Sequence, residues 1–176
     1  CWCLPNARRS LEMATADEGS LLEGLMQRRF DAVIAPKPRK FAHPDVVERP
    51  LYELHPQVYA RKGHPLARAQ SLAQLQGAAW ACVGPSVSGP VDVLTEAHRV
   101  RRMPAPKMSV RCPDFASLLH LVAQSDLLAV VPHPALLGGA SALVVPLRLA
   151  ESLPLYGMWL FEPRGRKSRL GPEVFA

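Results

Sequence analysis

The chain has 176 residues, 48% of them apolar, and a formal net charge of +6. That length and apolar content suffice for the core of one domain or two small lobes, which excludes a disordered chain. No apolar run reaches the roughly 18 residues of a membrane span, and Cys1-Trp2-Cys3-Leu4 lacks the charged and apolar regions of a signal peptide, so the sequence reads as a cytoplasmic protein or fragment.

From the N-terminus, Arg9 to Ala16 reads as a strand with Leu11 and Met13 on one face, ending near Asp17. Glu18-Gly19-Ser20 is expected as a turn and cap. Leu21, Leu22, Leu25 and Met26 then recur at the spacing of one buried helical stripe. Phe30 to Ala35 is a continuous apolar run, suited to a parallel strand covered on both faces, and strand, helix, strand in this order makes a right-handed crossover. The proline-rich, basic stretch Pro36 to Pro44 leads away from the sheet.

Leu51 to Ala60 alternates in part and predicts one long strand leading out. A turn at Gly63-His64-Pro65 precedes a short capped helix over Ser71 to Gln76, a buried strand over Ala79 to Val83, a loop over Gly84 to Pro90 and a helix over Val91 to Val100. The next unit repeats the logic. Lys107 to Cys112 is a strand, Asp114 caps a helix over Phe115 to Gln124, and Leu127 to Val131 is an apolar strand stopped by Pro132. Ala142 to Leu147 and Leu155 to Phe161 predict two more strands, and Leu170-Gly171-Pro172-Glu173 the start of a helix.

This alternation predicts an α/β fold of two doubly wound, Rossmann-like lobes with a ligand cleft between them, joined by two crossing strands. The first lobe takes residues 1–57 and 147–176, the second 58–146. In open parallel sheets the ligand crevice lies beyond the carboxyl ends of the strands, at the starts of the following helices, where backbone N–H groups favour an anion. The residues that such loops offer to a ligand are Thr15, Glu18, Gly19, Ala35, Gly84, Ser86, Ser88, Asp114, Phe115 and His133. Each also has a structural reading. Thr15, Ser86 and Ser88 are ordinary capping residues, Asp114 reads as a helix N-cap before a ligand group, and Phe115 either walls the cleft or plugs the core. Asp17 and Glu18, adjacent in sequence, fit a surface turn better than a facing acid and base. His133, before a proline at a strand end, is more often structural than acid–base.

No catalytic or cofactor motif is present: there is no nucleophile elbow, no His-Glu-x-x-His pair and no phosphate loop. Cys1, Cys3, Cys82 and Cys112 lack the two-residue gap of a zinc knuckle or redox pair, so neither metal nor cofactor is expected. Cys82 and Cys112 lie in apolar strand-like runs and read as small core hydrophobes, a redox role for Cys112 being the alternative. Two basic clusters, Arg99, Arg101, Arg102, Lys107 and Arg111, and Arg164, Arg166, Lys167 and Arg169, are not interleaved with aromatics and read as solvated faces rather than a nucleic-acid surface.

Four segments in register carry a family resemblance: the helix from Leu21, Phe30-Asp31-Ala32-Val33-Ile34-Ala35, Arg49-Pro50-Leu51-Tyr52-Glu53, and Arg61-Lys62-Gly63-His64-Pro65-Leu66-Ala67. Ala79-Trp80-Ala81-Cys82-Val83 and the stretch from Asp114 to Pro132 extend it, with Ser125-Asp126 where many members have alanine and glycine. The chain resembles the effector-binding domain of LysR-type transcriptional regulators, similar in architecture to periplasmic binding proteins. The resemblance implies a bacterial sensing domain, not an enzyme, that binds a small effector. DNA would be contacted only through a helix-turn-helix domain that this sequence lacks, as it lacks the family's first strand and most of its first helix. It also implies an antiparallel dimer, with the helix Val91 to Val100 and the strand Arg9 to Thr15 as candidate contacts, and a tetramer of the full-length protein. A periplasmic solute-binding protein and a dehydratase-like enzyme on the same fold are the alternatives.

Overall fold

The computed structural model describes residues 12, 14, 16–38, 41–84, 90–132 and 134–165. Eight strands and three α-helices are present among them: α1 (Glu18–Met26), β1 (Val33–Pro36), β2 (Val46–Leu54), β3 (Gln57–Arg61), β4 (Ala79–Val83), α2 (Pro90–Val100), β5 (Lys107–Cys112), α3 (Phe115–Ala123), β6 (Leu128–Val131), β7 (Val144–Pro146) and β8 (Tyr156–Pro163). Short 3-10 turns cover Leu72–Leu75 and Pro134–Ala142. The chain divides into two compact units, 1–52 with 157–176, and 53–156.

In the first unit the described sheet has the order β1-β8-β2. Leu22 and Leu25 of α1 pack with Val33 and Ala35 of β1, Val46 of β2 and Phe161 of β8. Phe41 meets Phe161 edge to face, with ring centroids 5.4 Å apart. Lys37 forms an ion pair with Glu48 and sets its ammonium 4.9 Å above the Trp159 ring. Gly24 lets α1 close on the Phe30 ring, because a methyl group at that position would stand 2.5 Å from the ring edge.

Three expectations for this unit are corrected. The helix starts at Glu18, not after a Glu18-Gly19-Ser20 turn, because the Asp17 carboxylate accepts the Ser20 N–H at 3.0 Å and caps it earlier. This places Glu18 in the first helical turn, where it is buried, and leaves Met26 outside the apolar stripe and exposed. The strand after α1 is Val33–Pro36, and its described partner is β8, paired antiparallel as Val33 to Phe161 and Ala35 to Trp159. Its burial alternates along the strand, as expected for one well-covered face. The predicted strand over Arg9 to Ala16 lies mostly outside the described residues, as does the C-terminal helix start.

The second unit is a five-stranded sheet in the order β5-β4-β6-β3-β7. β4 runs parallel to both β5 and β6, while β3 is antiparallel to β6 and β7. Because side chains alternate across a strand, the sheet feeds two cores. Val58, Ala60, Trp80, Leu128 and Val130 pack with Val93, Leu94 and Ala97 of α2. Their chain neighbours Tyr59, Ala81, Ala129 and Val131 pack with Leu118, Leu119 and Val122 of α3. The sheet is therefore wound on both faces, and all four residues of β6 are buried.

The predicted long strand over Leu51 to Ala60 is two strands, β2 and β3, separated by His55-Pro56, since proline has no N–H to give a ladder. The turn after β3 forms as expected. Gly63 takes a φ of 73°, and His64 is buried with Nδ1 accepting the Leu66 N–H at 2.9 Å. The capped helix over Ser71 to Gln76 is a 3-10 turn with no side-chain cap from Ser71.

Gly24→Val is expected to destabilise the chain by about 1–3 kcal/mol in urea unfolding, because the Phe30 ring must give way. An unchanged or raised midpoint contradicts this packing.

Candidate functional site

The parallel strands of the second unit end level with one another. Val83 pairs with Cys112, and the register Trp80 to Leu128 and Ala81 to Ala129 brings Val131 level with Val83. Three of the predicted ligand residues, Gly84, Asp114 and Phe115, come directly after these ends. Gly84 N–H donates to the Cys112 carbonyl at 2.8 Å, which ties the first turn of the loop to the end of β5. Gly84 has a φ of 21°, and a methyl group on it would meet no atom of the described residues within 4 Å.

Asp114 caps α3. Its carboxylate accepts the Ser117 N–H at 2.8 Å and the Ser117 hydroxyl at 3.1 Å. The backbone hydrogen bond from Ser117 is the main cause that holds the carboxyl below its ordinary range. Asp17 does the same at α1, with the Ser20 hydroxyl as the first cause. The predicted capping role of Asp114 is thus realised, and this carboxylate is already spent on the helix. Phe115 is half-buried against the core that α3 shares with Cys112, Leu118 and Val131, which is the packing alternative for this ring.

The remaining predicted residues fall elsewhere. Glu18 and exposed Gly19 are in the first turn of α1, and Ala35 is a buried residue of β1 whose methyl group belongs to the core. Thr15, Ser86, Ser88 and His133 lie outside the described residues. The first unit also carries an open depression of about 530 Å³ lined by Ala42, His43, Pro44, Val46, Val47, Glu48 and Arg164, none of them predicted as ligand contacts.

Cys82 and Cys112 are buried free thiols on neighbouring strands. Burial pushes both up from their ordinary value, and the Arg111 guanidinium partly opposes this at Cys82. Core packing, not reactivity, is the role this environment gives them. By sequence alone Arg111 groups with a solvated basic cluster. In the fold it stands one residue before the end of β5, level with Cys82, with Nη1 3.7 Å from the thiol sulfur. The signal that separates it is its place immediately before Cys112-Pro113-Asp114, where a strand hands over to a capped helix. Among the described residues no group of three His, Cys, Asp or Glu side chains could hold a metal ion. No described helix is long and apolar enough to cross a membrane.

A family model described as the LysR substrate binding domain matches residues 8–175. Among solved structures, the effector-binding domain of QuiR in complex with shikimate is similar at 17% identity and a TM-score of 0.73, over 91% of this chain and 75% of that one. The regulatory domain of CcmR from Synechocystis PCC6803, in complex with 2-PG, is 15% identical with a TM-score of 0.72, over 90% and 76%. The PA01 protein of Pseudomonas aeruginosa, a putative LysR family transcriptional regulator, is 19% identical with a TM-score of 0.68, over 90% of this chain but 55% of its own length. The chain thus spans about half of that regulator. At these identities the likeness to solved structures is one of fold.

The site chemistry makes two outcomes measurable. Asp114→Ala is expected to lower the melting temperature at pH 7. Because the folded carboxyl is held below its unfolded value, the stabilisation is fully present above the ordinary aspartate range and is lost as pH falls through the folded value. The gap between variant and parent should therefore narrow in thermal melts as the pH is lowered below the ordinary aspartate range. In addition, Cys82 and Cys112 should alkylate more slowly than a free thiol at pH 7 in the native chain, read by peptide mapping.

Proposed function

The chain belongs to the LysR substrate-binding domain family, and from that premise we propose that it senses a small organic anion for a LysR-type transcription regulator. The observation that carries this reading is the level ending of β4, β5 and β6 at Gly84, Cys112 and Val131. Such an edge is where open α/β sheets take ligands, and α3 begins directly beyond β5, a helix start whose N–H groups favour negative charge. The net charge of +6 suits an anionic effector, and shikimate and 2-PG in the relatives' complexes give the scale of compound to test.

In this reading residues 1–57 with 147–176 and residues 58–146 act as two regulatory lobes. The effector makes contact through Gly84, Ser86, Ser88, Asp114, Phe115 and His133 on one lobe and Thr15, Glu18, Gly19 and Ala35 on the other. It acts by preferring one arrangement of the lobes, since only a difference in affinity between two states shifts their balance. The output runs through a separate helix-turn-helix domain of the longer protein, which carries the DNA contacts. Two chains pair antiparallel in an isologous contact through the helix Val91 to Val100 and the segment Arg9 to Thr15 predicted as a strand, and such pairs assemble into the tetramer of the full-length regulator, working in the cytoplasm.

A thermal-shift screen of small organic acids, with mass-spectrometric recovery of each hit, tests this. The expected result is a compound that raises the melting temperature and is recovered unchanged. Conversion of the hit to product contradicts the reading. Ser86→Trp and Thr15→Trp should each abolish the shift while leaving the unliganded melting temperature in place. Unaltered affinity in both variants would mean that the effector binds elsewhere.

A further inference from the structure

Arg111 is set apart from the other cations near it. In the same sequence cluster, Arg99 is paired with Glu96 at 2.6 Å, and Arg101 donates to the Ala97 carbonyl at 3.0 Å at the end of α2. Lys107 lies at the opposite end of β5, about 13 Å away along the strand. Arg61 of β3, also in this unit, is paired with Asp126 at 2.6 Å. Arg111 has no carboxylate partner among the described residues. Among the described residues its one hydrogen bond is to the Cys82 thiol at 3.7 Å, a weak acceptor for a group with five N–H donors.

Arg102 and Lys107 likewise have no ion pair among the described residues, but they precede or begin β5, so it is the place of Arg111, near the end of that strand, that distinguishes it. β5 is one of the two edge strands of the described sheet, and Arg111 is exposed there. It stands level with Cys82, two residues before Gly84, where the chain leaves β4. The Asp114 carboxylate, the nearest acidic group in sequence, is held by Ser117 at the start of α3 and forms no ion pair with Arg111 among the described residues.

We infer that Arg111 is the anion-selecting residue of the effector site, pairing through its planar fork with a carboxylate or a similar oxyanion of the ligand. This rests on the effector-binding reading above and deepens it by naming the residue and the group recognised. A guanidinium suits the task because it stays charged at every working pH and meets two oxygens at once. The neighbouring Cys82 thiol, whose raised value Arg111 partly offsets, provides a reporter at the same spot.

The test titrates benzoate, and separately its uncharged isostere benzamide, into the nitrogen-15-labelled chain and into Arg111→Gln, following backbone amide shifts. Benzoate is expected to move the amides of Cys82, Gly84, Arg111 and Cys112, with an affinity roughly ten- to a hundredfold weaker in Arg111→Gln. Benzamide should leave them in place, and Arg111→Lys should recover part of the loss. Equal benzoate affinity in parent and Arg111→Gln, or equal shifts with benzamide, overturns the assignment. If benzoate moves none of these amides while a neutral compound still stabilises the chain, the assignment of Arg111 and the anionic class of effector fall, and the reading of the chain as a small-molecule sensor stands. If neither charged nor neutral compounds bind, both fall.

Discussion

The second unit depends on one constraint: its central strands must be covered on both faces at once. Trp80 and Leu128 face α2 while Ala81 and Ala129 face α3, so neither helix can leave without exposing half of the sheet to water. Large and small residues alternate across these strands, which lets one face take the indole of Trp80 and the other close tightly over Ala81 and Ala129. The same constraint fixes the register. A slip of one residue would send Trp80 into the face built for alanine.

That register is what gives the strand ends their use. Because β4 and β5 are locked with Val83 opposite Cys112, the chain emerges at Gly84 and at Asp114 from the same edge. Gly84 turns at a backbone angle that favours glycine and ties its N–H to Cys112, and Asp114 starts α3 at once by accepting from Ser117. The sheet thus delivers two chain segments to one fixed edge, the arrangement that suits recognition of a small ligand. The energetics of the core and the placement of the site are one problem rather than two.

Much of this was legible in the residues. β4 and β5 fall where the sequence placed them, since short apolar runs bounded by turn residues leave little freedom, and the Asp114 cap is a local hydrogen bond that sequence spacing states directly. The misreadings arise where two signals compete. Asp17 outdoes Ser20 as a cap and pulls the start of α1 forward, burying Glu18. Pro56 interrupts an alternating pattern that by itself supports one long strand. The run before Ala35 is apolar enough for a strand buried on both sides, yet its described partner is antiparallel β8, brought in from the far end of the chain. No local pattern announces a pairing of that range. Of the candidate site, Gly84, Asp114 and Phe115 are given by the positions of strand ends, whereas Arg111 needed the register, because in sequence it is one of five cations.

Hydrogen–deuterium exchange on the chain with and without an effector found by screening tests the central claim most directly. Binding at the shared strand edge predicts new protection concentrated in the peptides that cover 84–90 and 112–116, with the cores of β4 and β6 already slow in both states. Protection confined to other segments, with these two loops exchanging as fast as in the free chain, would contradict it.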